Sequence, residues 1–156
     1  MISVLMRSHN DISYVKATVE ALLAQNVLPI INENDTVATE EIVIGDNDTL
    51  AAIVAQSVSA DRLILLSDID GLYTADPHKD PNAKLLSFVS EITDEIRALG
   101  GGSASTQGTG GMATKLRAAE ICLDAGCDMI ITNGKRPDDL YAILECRSVG
   151  TTFSRR

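Results

Sequence analysis

The chain has no tryptophan, two phenylalanines and three tyrosines among its 156 residues, and its formal net charge is -9. Surfaces that bind nucleic acids need basic side chains for the phosphates and usually aromatic side chains for stacking on the bases. Both are scarce here, so we expect no nucleic-acid partner. If the ligand is an anion, local groups and a metal ion must overcome the field of an acidic chain.

Long apolar runs are also missing. No stretch approaches the ~20 residues of a membrane-spanning helix. The first residues, MISVLMRSHND, lack the basic start, apolar core and cleavage site of a secretory signal. We therefore expect a cytoplasmic protein with no membrane contact.

Cysteine is scarce as well. Cys122, Cys127 and Cys146 are odd in number and lack CxxC spacing, and His9 and His78 are the two histidines that could join them. This pattern favours buried, reduced thiols that pack in the core over a soft-metal site.

What is present is an alternation of amphipathic and short apolar segments. Helical periodicity predicts helices over 10–26, after Asp46–Asp48, over TDEIRAL with Thr93 as cap, from the Gly-rich stretch to Gly126, and over DDLYAILE. Strands are expected at 27–31, 63–66, 129–131 and in VGTTF at 149–153. The order predicts an α/β fold, a three-layer αβα sandwich with a mostly parallel sheet.

Three of these strands end in polar residues, at 32–35, 67–71 and 132–137. Any one of them is explained by solvent contact alone. Parallel sheets, however, bind ligands beyond the carboxyl ends of their strands. Three polar ends on one rim therefore favour a binding site.

The stretch GTGGMATK, residues 108–115, is rich in glycine and ends in a lone lysine. It does not match the Walker A pattern, and no strand precedes it as a dinucleotide fingerprint requires. A flexible linker would explain the glycines alone, but not their position at a helix start beside Lys115. Uncovered N–H groups and a lysine at a helix N-terminus predict an anion site.

The cluster GDND at 45–48 exceeds what helix capping requires, since one such residue suffices. Its Asn and Asp side chains could bind an ammonium or amide of a substrate, orient a lysine or hold Mg²⁺. With NEND at 32–35 they suggest a small polar substrate.

Five motifs together, INEND, GDND, LLSDIDGLYTADP, GTGGMATKLRAA and the closing VGTTF, strongly resemble the glutamate 5-kinases, which have the amino acid kinase fold. The match is closest over 27–153. It implies Mg²⁺-dependent transfer of the γ-phosphoryl group of ATP to the side chain of L-glutamate, the first step of proline synthesis.

The resemblance also implies roles for residues. Asp35 and Asn47 would hold the glutamate, and Asn32 and Asn34 would shape its pocket. Asp48 would orient catalytic lysines, and Lys115 would neutralise charge on the transferring group. The nucleotide would contact Ser67, Asp68, Tyr73, Asp76, Thr109, Gly110, Gly111, Met112, Ala113, Thr114 and Lys115.

The family's opening strand and Lys-x-Gly-Ser loop have no counterpart here, nor does the C-terminal accessory domain of some members. Residues 1–156 are thus predicted to be a single partial kinase domain with weak or no activity alone, completed in a homo-oligomer or by another chain. Two alternatives stay open: a non-catalytic nucleotide-binding or oligomerisation module, and another member of the same fold that acts on a different substrate.

Overall fold

The computed structural model describes residues 9–32, 46–101 and 111–156. In these ranges the helices are α1 (His9–Ala24), α2 (Asn47–Ser57), α3 (Asp94–Leu99), α4 (Met112–Asp124) and α5 (Asp139–Leu144). The strands are β1 (Arg62–Ser67), β2 (Phe88–Val89), β3 (Asp128–Asn133) and β4 (Thr151–Phe153). None of these helices is long and apolar enough to cross a membrane.

The four strands form one sheet in the order β1-β3-β4-β2. β1 runs parallel to β3 and β2 runs parallel to β4, whereas β3 and β4 are antiparallel. The register of the first pair places Ser67 beside Asn133. The polar ends of β1 and β3 therefore share one rim, and the predicted mostly parallel sheet is confirmed.

Both faces of β3 are covered. Met129 and Ile131 belong to the main apolar cluster, together with residues of α2 and α4. Ile130 and Thr132 are also buried, and because side chains alternate along a strand they face the other side. On that side the Thr132 hydroxyl donates to the Asp139 carboxylate at the start of α5, at 2.8 Å. The three-layer arrangement is thus confirmed.

The direction of α2 and α4 follows from the short connections that join them to β1 and β3. Each helix must run back along the strand that follows it, so both N-termini lie at the rim where β1 and β3 end. The two helices also pack against each other. The topology therefore brings the starts of α2 and α4 together beside the polar strand ends.

Local signals fix the helix ends as predicted. The Asp46 carboxylate accepts the Thr49 backbone N–H at 2.6 Å, which caps α2. The Thr93 hydroxyl accepts the Ile96 N–H at 3.3 Å, which caps α3. Beyond the end of α4, Gly126 takes a φ of 73°, a left-handed conformation that glycine adopts without strain.

The predicted strand at 27–31 is wrong, since this segment has no strand pairing in the described residues. Pro29 lacks a backbone N–H, and an apolar run becomes a strand only where a neighbouring edge accepts its hydrogen bonds. Leu28 and Ile30 stay 81% and 64% exposed. Conversely, β2 was not predicted, because two residues are too few to produce a readable alternation.

The cysteine prediction holds in part. Cys122 and Cys127 are free and buried, and burial raises the pKa of the Cys122 thiol to about 12. Cys146 is exposed, contrary to the prediction. It follows α5 at a φ of 58°, in the exposed stretch 144–148 before β4.

Candidate active site

An ion pair joins the first turns of α2 and α4. The Lys115 ammonium lies 3.0 Å from Oδ2 of Asp48, and the two side chains are 11% and 18% exposed. The Thr114 hydroxyl reaches the same oxygen at 2.7 Å. The structure thus brings together the two predicted catalytic residues and one residue of the predicted phosphate loop.

A groove of about 540 Å³ lies between residues 29–32, α2 and β1. Asn32 and Asn47 are among its lining residues, and most of the remaining wall is apolar. Two of the four predicted substrate-binding residues therefore share one groove. The other two, Asn34 and Asp35, lie outside the described residues.

A separate cavity of about 330 Å³ is lined by Tyr73, Asp76 and Met112, with apolar neighbours such as Leu99. The Asp76 carboxylate accepts the His78 backbone N–H at 3.0 Å, and this bond holds the pKa of Asp76 below its usual value. Three residues predicted to contact the nucleotide are thus grouped around one cavity.

The residues of the ion pair are close in sequence to residues that line the groove and the cavity. Asn47, which lines the groove, is the neighbour of Asp48, and Met112, which lines the cavity, belongs to the first turn of α4 with Lys115. Each residue of the ion pair is therefore within three positions along the chain of a residue that lines one of the two spaces.

The remaining described residues that were predicted to contact the nucleotide, Lys115 and Thr114 of the ion-pair cluster among them, do not line the cavity. Ser67 and Asp68 lie at the end of β1, where the Ser67 hydroxyl donates to the Asp68 carboxylate at 3.1 Å, but they line neither space. Gly111 is the N-cap of α4, and Ala113 is exposed in its first turn. Thr109 and Gly110 lie outside the described residues.

A polar network that the sequence assignments omit links the ends of β1 and β3. Asp70 Oδ1 accepts from Asn133 Nδ2 at 2.9 Å and from the Arg136 guanidinium at 3.0 Å. Tyr73 donates to the other oxygen of Asp70 at 3.4 Å. Arg136 also pairs with Asp139, at 3.2 Å. The network therefore ties the turn that carries Tyr73 to the loop after β3.

The network shifts two pKa values in opposite directions. The hydrogen bond from Asn133, assisted by the charge of Arg136, holds the pKa of Asp70 below its usual value. Burial, and next the nearby Asp70 carboxylate, raise the pKa of the Tyr73 phenol. At neutral pH these two groups are therefore an anion and a neutral donor. The polar run at 132–137 was the signal in the sequence for this network, without identifying its partners.

Comparison with known proteins assigns the sequence to a family. The sequence profile described as "Amino acid kinase family" matches residues 3–133. The chain belongs to the amino acid kinase family.

Among curated members of this family, a glutamate 5-kinase of Paramagnetospirillum magneticum is 60% identical over 138 residues, which is 87% of this chain and 37% of that protein. A glutamate 5-kinase of Listeria innocua is 51% identical over 146 residues, 91% of this chain and 53% of that protein. The chain thus spans between about a third and a half of the length of these relatives.

Solved structures show the same fold at low sequence identity. A UMP kinase from Bacillus anthracis gives a TM-score of 0.65 at 17% identity, over 90% of this chain and 51% of that one. A carbamate kinase from Giardia lamblia bound to AMP-PNP gives 0.62 at 24% identity, over 90% of this chain and 49% of that one. These matches establish the amino acid kinase fold and no more.

Proposed function

We propose that this chain takes part in ATP-dependent phosphorylation of the side-chain carboxylate of L-glutamate, with Lys115 and Asp48 at the centre of the site. The observation that carries the proposal is the buried Lys115–Asp48 pair, whose residues lie close along the chain to Asn47 of the groove and Met112 of the cavity. The names of relatives at 51–60% identity supply the substrate. The reaction would be the first step of proline synthesis in the cytoplasm.

The proposed reaction suits a site built on placement of charge. A carboxylate oxygen of glutamate forms a bond to the γ-phosphorus of ATP, and the bond from that phosphorus to the β–γ bridging oxygen breaks and leaves ADP. The attacking carboxylate carries no proton, so no general base is needed. What remains is alignment and neutralisation of charge on the phosphoryl oxygens. Lys115 can supply that positive charge.

The start of α4 fits a phosphate. Gly111 makes no side-chain capping bond and the first turn carries no acidic residue, so among the described residues no side chain caps its first N–H groups. Such groups, together with the helix dipole and Lys115, favour an anion. We therefore place the nucleotide phosphates at this helix end, with the base beside Tyr73 and Asp76.

Mg²⁺ fits as an ion carried by the nucleotide. Mg²⁺ is commonly held by phosphates with one or two carboxylates rather than by a cage of protein ligands. In the described parts of the chain no group of three or more His, Cys, Asp or Glu side chains could hold a metal ion. When bound, the ion would neutralise phosphate charge, a task that it would share with Lys115.

We also propose that a second copy of this chain covers the outer edge of β1. In the described residues β1 pairs with β3 alone. Leu66 on β1 is 52% exposed, and Leu28 and Ile30 are more exposed still. An open strand edge with apolar side chains nearby favours association. Size-exclusion chromatography with light scattering should give a dimer or larger species, and a monomer at high concentration would contradict this.

The test of function is ADP release by the purified chain with Mg-ATP and L-glutamate. L-aspartate serves as the matched substrate, because it is shorter by one methylene. Lys115→Met should abolish glutamate-dependent turnover, whereas Lys16→Met, at an exposed position of α1, should not change it. Stabilisation by nucleotide without any turnover would instead support a module that binds nucleotide but does not catalyse transfer. Equal turnover in the Lys115→Met variant would refute the role of the pair.

A further inference from the structure

We propose that Thr114 is a positioning residue whose hydroxyl fixes the Asp48 carboxylate against Lys115, rather than a ligand of the nucleotide. The inference rests on the proposed function, since it concerns the same ion pair. It differs from the role that the sequence suggests for Thr114, which is contact with the phosphates.

The first step is the choice of acceptor. The Thr114 hydroxyl lies 2.7 Å from Oδ2 of Asp48 and 2.7 Å from the Gly111 carbonyl oxygen, but it has one proton to donate. The Gly111 carbonyl already accepts the Lys115 backbone N–H, at 3.4 Å. A carboxylate is also the stronger acceptor because it is charged. The proton therefore goes to Asp48.

The second step is what this bond does to the carboxylate. Lys115 and Thr114 approach the same oxygen of Asp48, at 3.0 and 2.7 Å, and of the described residues these two donate to it. One donor leaves a carboxylate free to rotate about its Cβ–Cγ bond. Two donors on neighbouring residues of one helix select the orientation in which Oδ2 faces α4.

The third step concerns the residue type. Threonine is restricted at χ1 because its β-carbon carries two heavy atoms, and in a helix it divides between two rotamers. The bond to Asp48 therefore has fewer competing rotamers to exclude than it would with serine. Serine offers the same donor with more rotational freedom, and valine offers the same shape without the donor. The pair Thr114→Ser and Thr114→Val separates the hydrogen bond from the packing.

The test measures the accessibility of the Lys115 amine, without substrate. The purified full chain is treated briefly with an N-hydroxysuccinimide ester, and modification of each lysine is quantified by peptide mass spectrometry. Exposed Lys16 is the internal reference. Because a buried, ion-paired ammonium reacts slowly, Thr114→Val should raise modification of Lys115 by about tenfold or more, as expected for loss of one hydrogen bond to a charged group. Thr114→Ser should return it close to the wild-type rate.

Thr49, the residue after Asp48, provides a matched control. The Thr49 hydroxyl donates to the Asp46 carboxylate at 2.8 Å, at the start of α2, and not to the Asp48 carboxylate. Thr49→Val should lower thermal stability and leave modification of Lys115 unchanged. If Thr49→Val raised it as much as Thr114→Val, the effect would be general loosening of the helix ends, and the inference would be wrong.

Nucleotide and activity readouts complete the test. With a positioning role, Thr114→Val weakens Mg-ATP binding by less than about twofold while kcat falls about tenfold, since misplacement of a charged group affects the transition state most. Unchanged or reduced modification of Lys115 in Thr114→Val would overturn the inference, whatever the activity. Absence of turnover in the wild-type chain would count against the proposed function alone, because the labelling result does not depend on turnover.

Discussion

The Asp48–Lys115 pair yields a prediction that the geometry makes quantitative. At an effective dielectric constant of about 20, two unit charges 3.0 Å apart attract by roughly 5 kcal/mol, before the cost of removing them from water. Exposed pairs are worth about 0.2–1 kcal/mol, and loss of one partner of a fully buried pair costs about 3–5 kcal/mol. With side chains 11% and 18% exposed, this pair lies nearer the buried limit. We expect a coupling free energy of about 2 kcal/mol.

The assay is a double-mutant cycle on the free energy of unfolding. Asp48→Asn keeps an acceptor for the Thr114 hydroxyl, and Lys115→Met keeps the length of the side chain. The free energies of unfolding lost by the two single variants should sum to more than the loss in the double variant, because each single variant leaves one charge buried and unpaired. Urea unfolding followed by circular dichroism gives the four free energies, and in thermal scans a coupling of about 2 kcal/mol corresponds to roughly 4–8 °C.

An exposed pair of the same chain provides the reference. Lys16 and Glu20 on α1 are 3.8 Å apart, with side chains 44% and 58% exposed. The cycle of Lys16→Met and Glu20→Gln should give no more than about 0.5 kcal/mol, as for other i,i+4 pairs. If the Asp48–Lys115 cycle gave a coupling as small as this reference, the pair would not be buried as described, and the reasoning on the site would fail.

Three further outcomes test other parts of the structure. Gly150→Ala should destabilise the fold by about 3 kcal/mol or more in urea unfolding, because the added Cβ would overlap a carbonyl oxygen of β3. Gly126 is also at positive φ but faces open space, so Gly126→Ala should cost about 1–2 kcal/mol. Because the folded-state pKa of Asp70 is lowered, its stabilising effect is present at neutral pH and is lost as pH falls through that pKa; Asn133→Ala should therefore destabilise the protein at pH 7 but progressively less in acid. Iodoacetamide should modify Cys146 in the native state and the two buried cysteines after unfolding, as mass spectrometry would show.

The helices and the buried strands could be predicted because their signals are local. Caps such as Asp46 and Thr93 mark helix starts, and apolar runs such as 63–66 and 129–131 are long enough to indicate buried strands. The failures have a non-local cause. Residues 27–31 carry an equally apolar run, but strand formation depends on a neighbouring edge that the run itself does not encode. The two residues of β2 become a strand only through their pairing with β4.

The candidate site divides in the same way. Motifs place Asp48 and Lys115 as candidates, and the topology explains their meeting, because two helices that run back along neighbouring parallel strands must begin at the same rim. The partners of Asp70 were not predictable. Asn133 and Arg136 are more than sixty residues away in the chain, and their contact depends on the register between β1 and β3.

The two helix starts at this rim differ in charge, and the difference orients the proposed substrates. The start of α2 is occupied by carboxylates of its own, since Asp46 caps it and Asp48 lies in its first turn. Among the described residues, the start of α4 has neither a side-chain cap nor an acidic residue in its own first turn. The Asp48 carboxylate also lies against this helix start, but Lys115 balances its charge, so phosphates are favoured at α4 and the ammonium of an amino acid is favoured at the acidic start of α2. In a chain of net charge -9 this local asymmetry, rather than long-range attraction, would favour different helix starts for the two substrates.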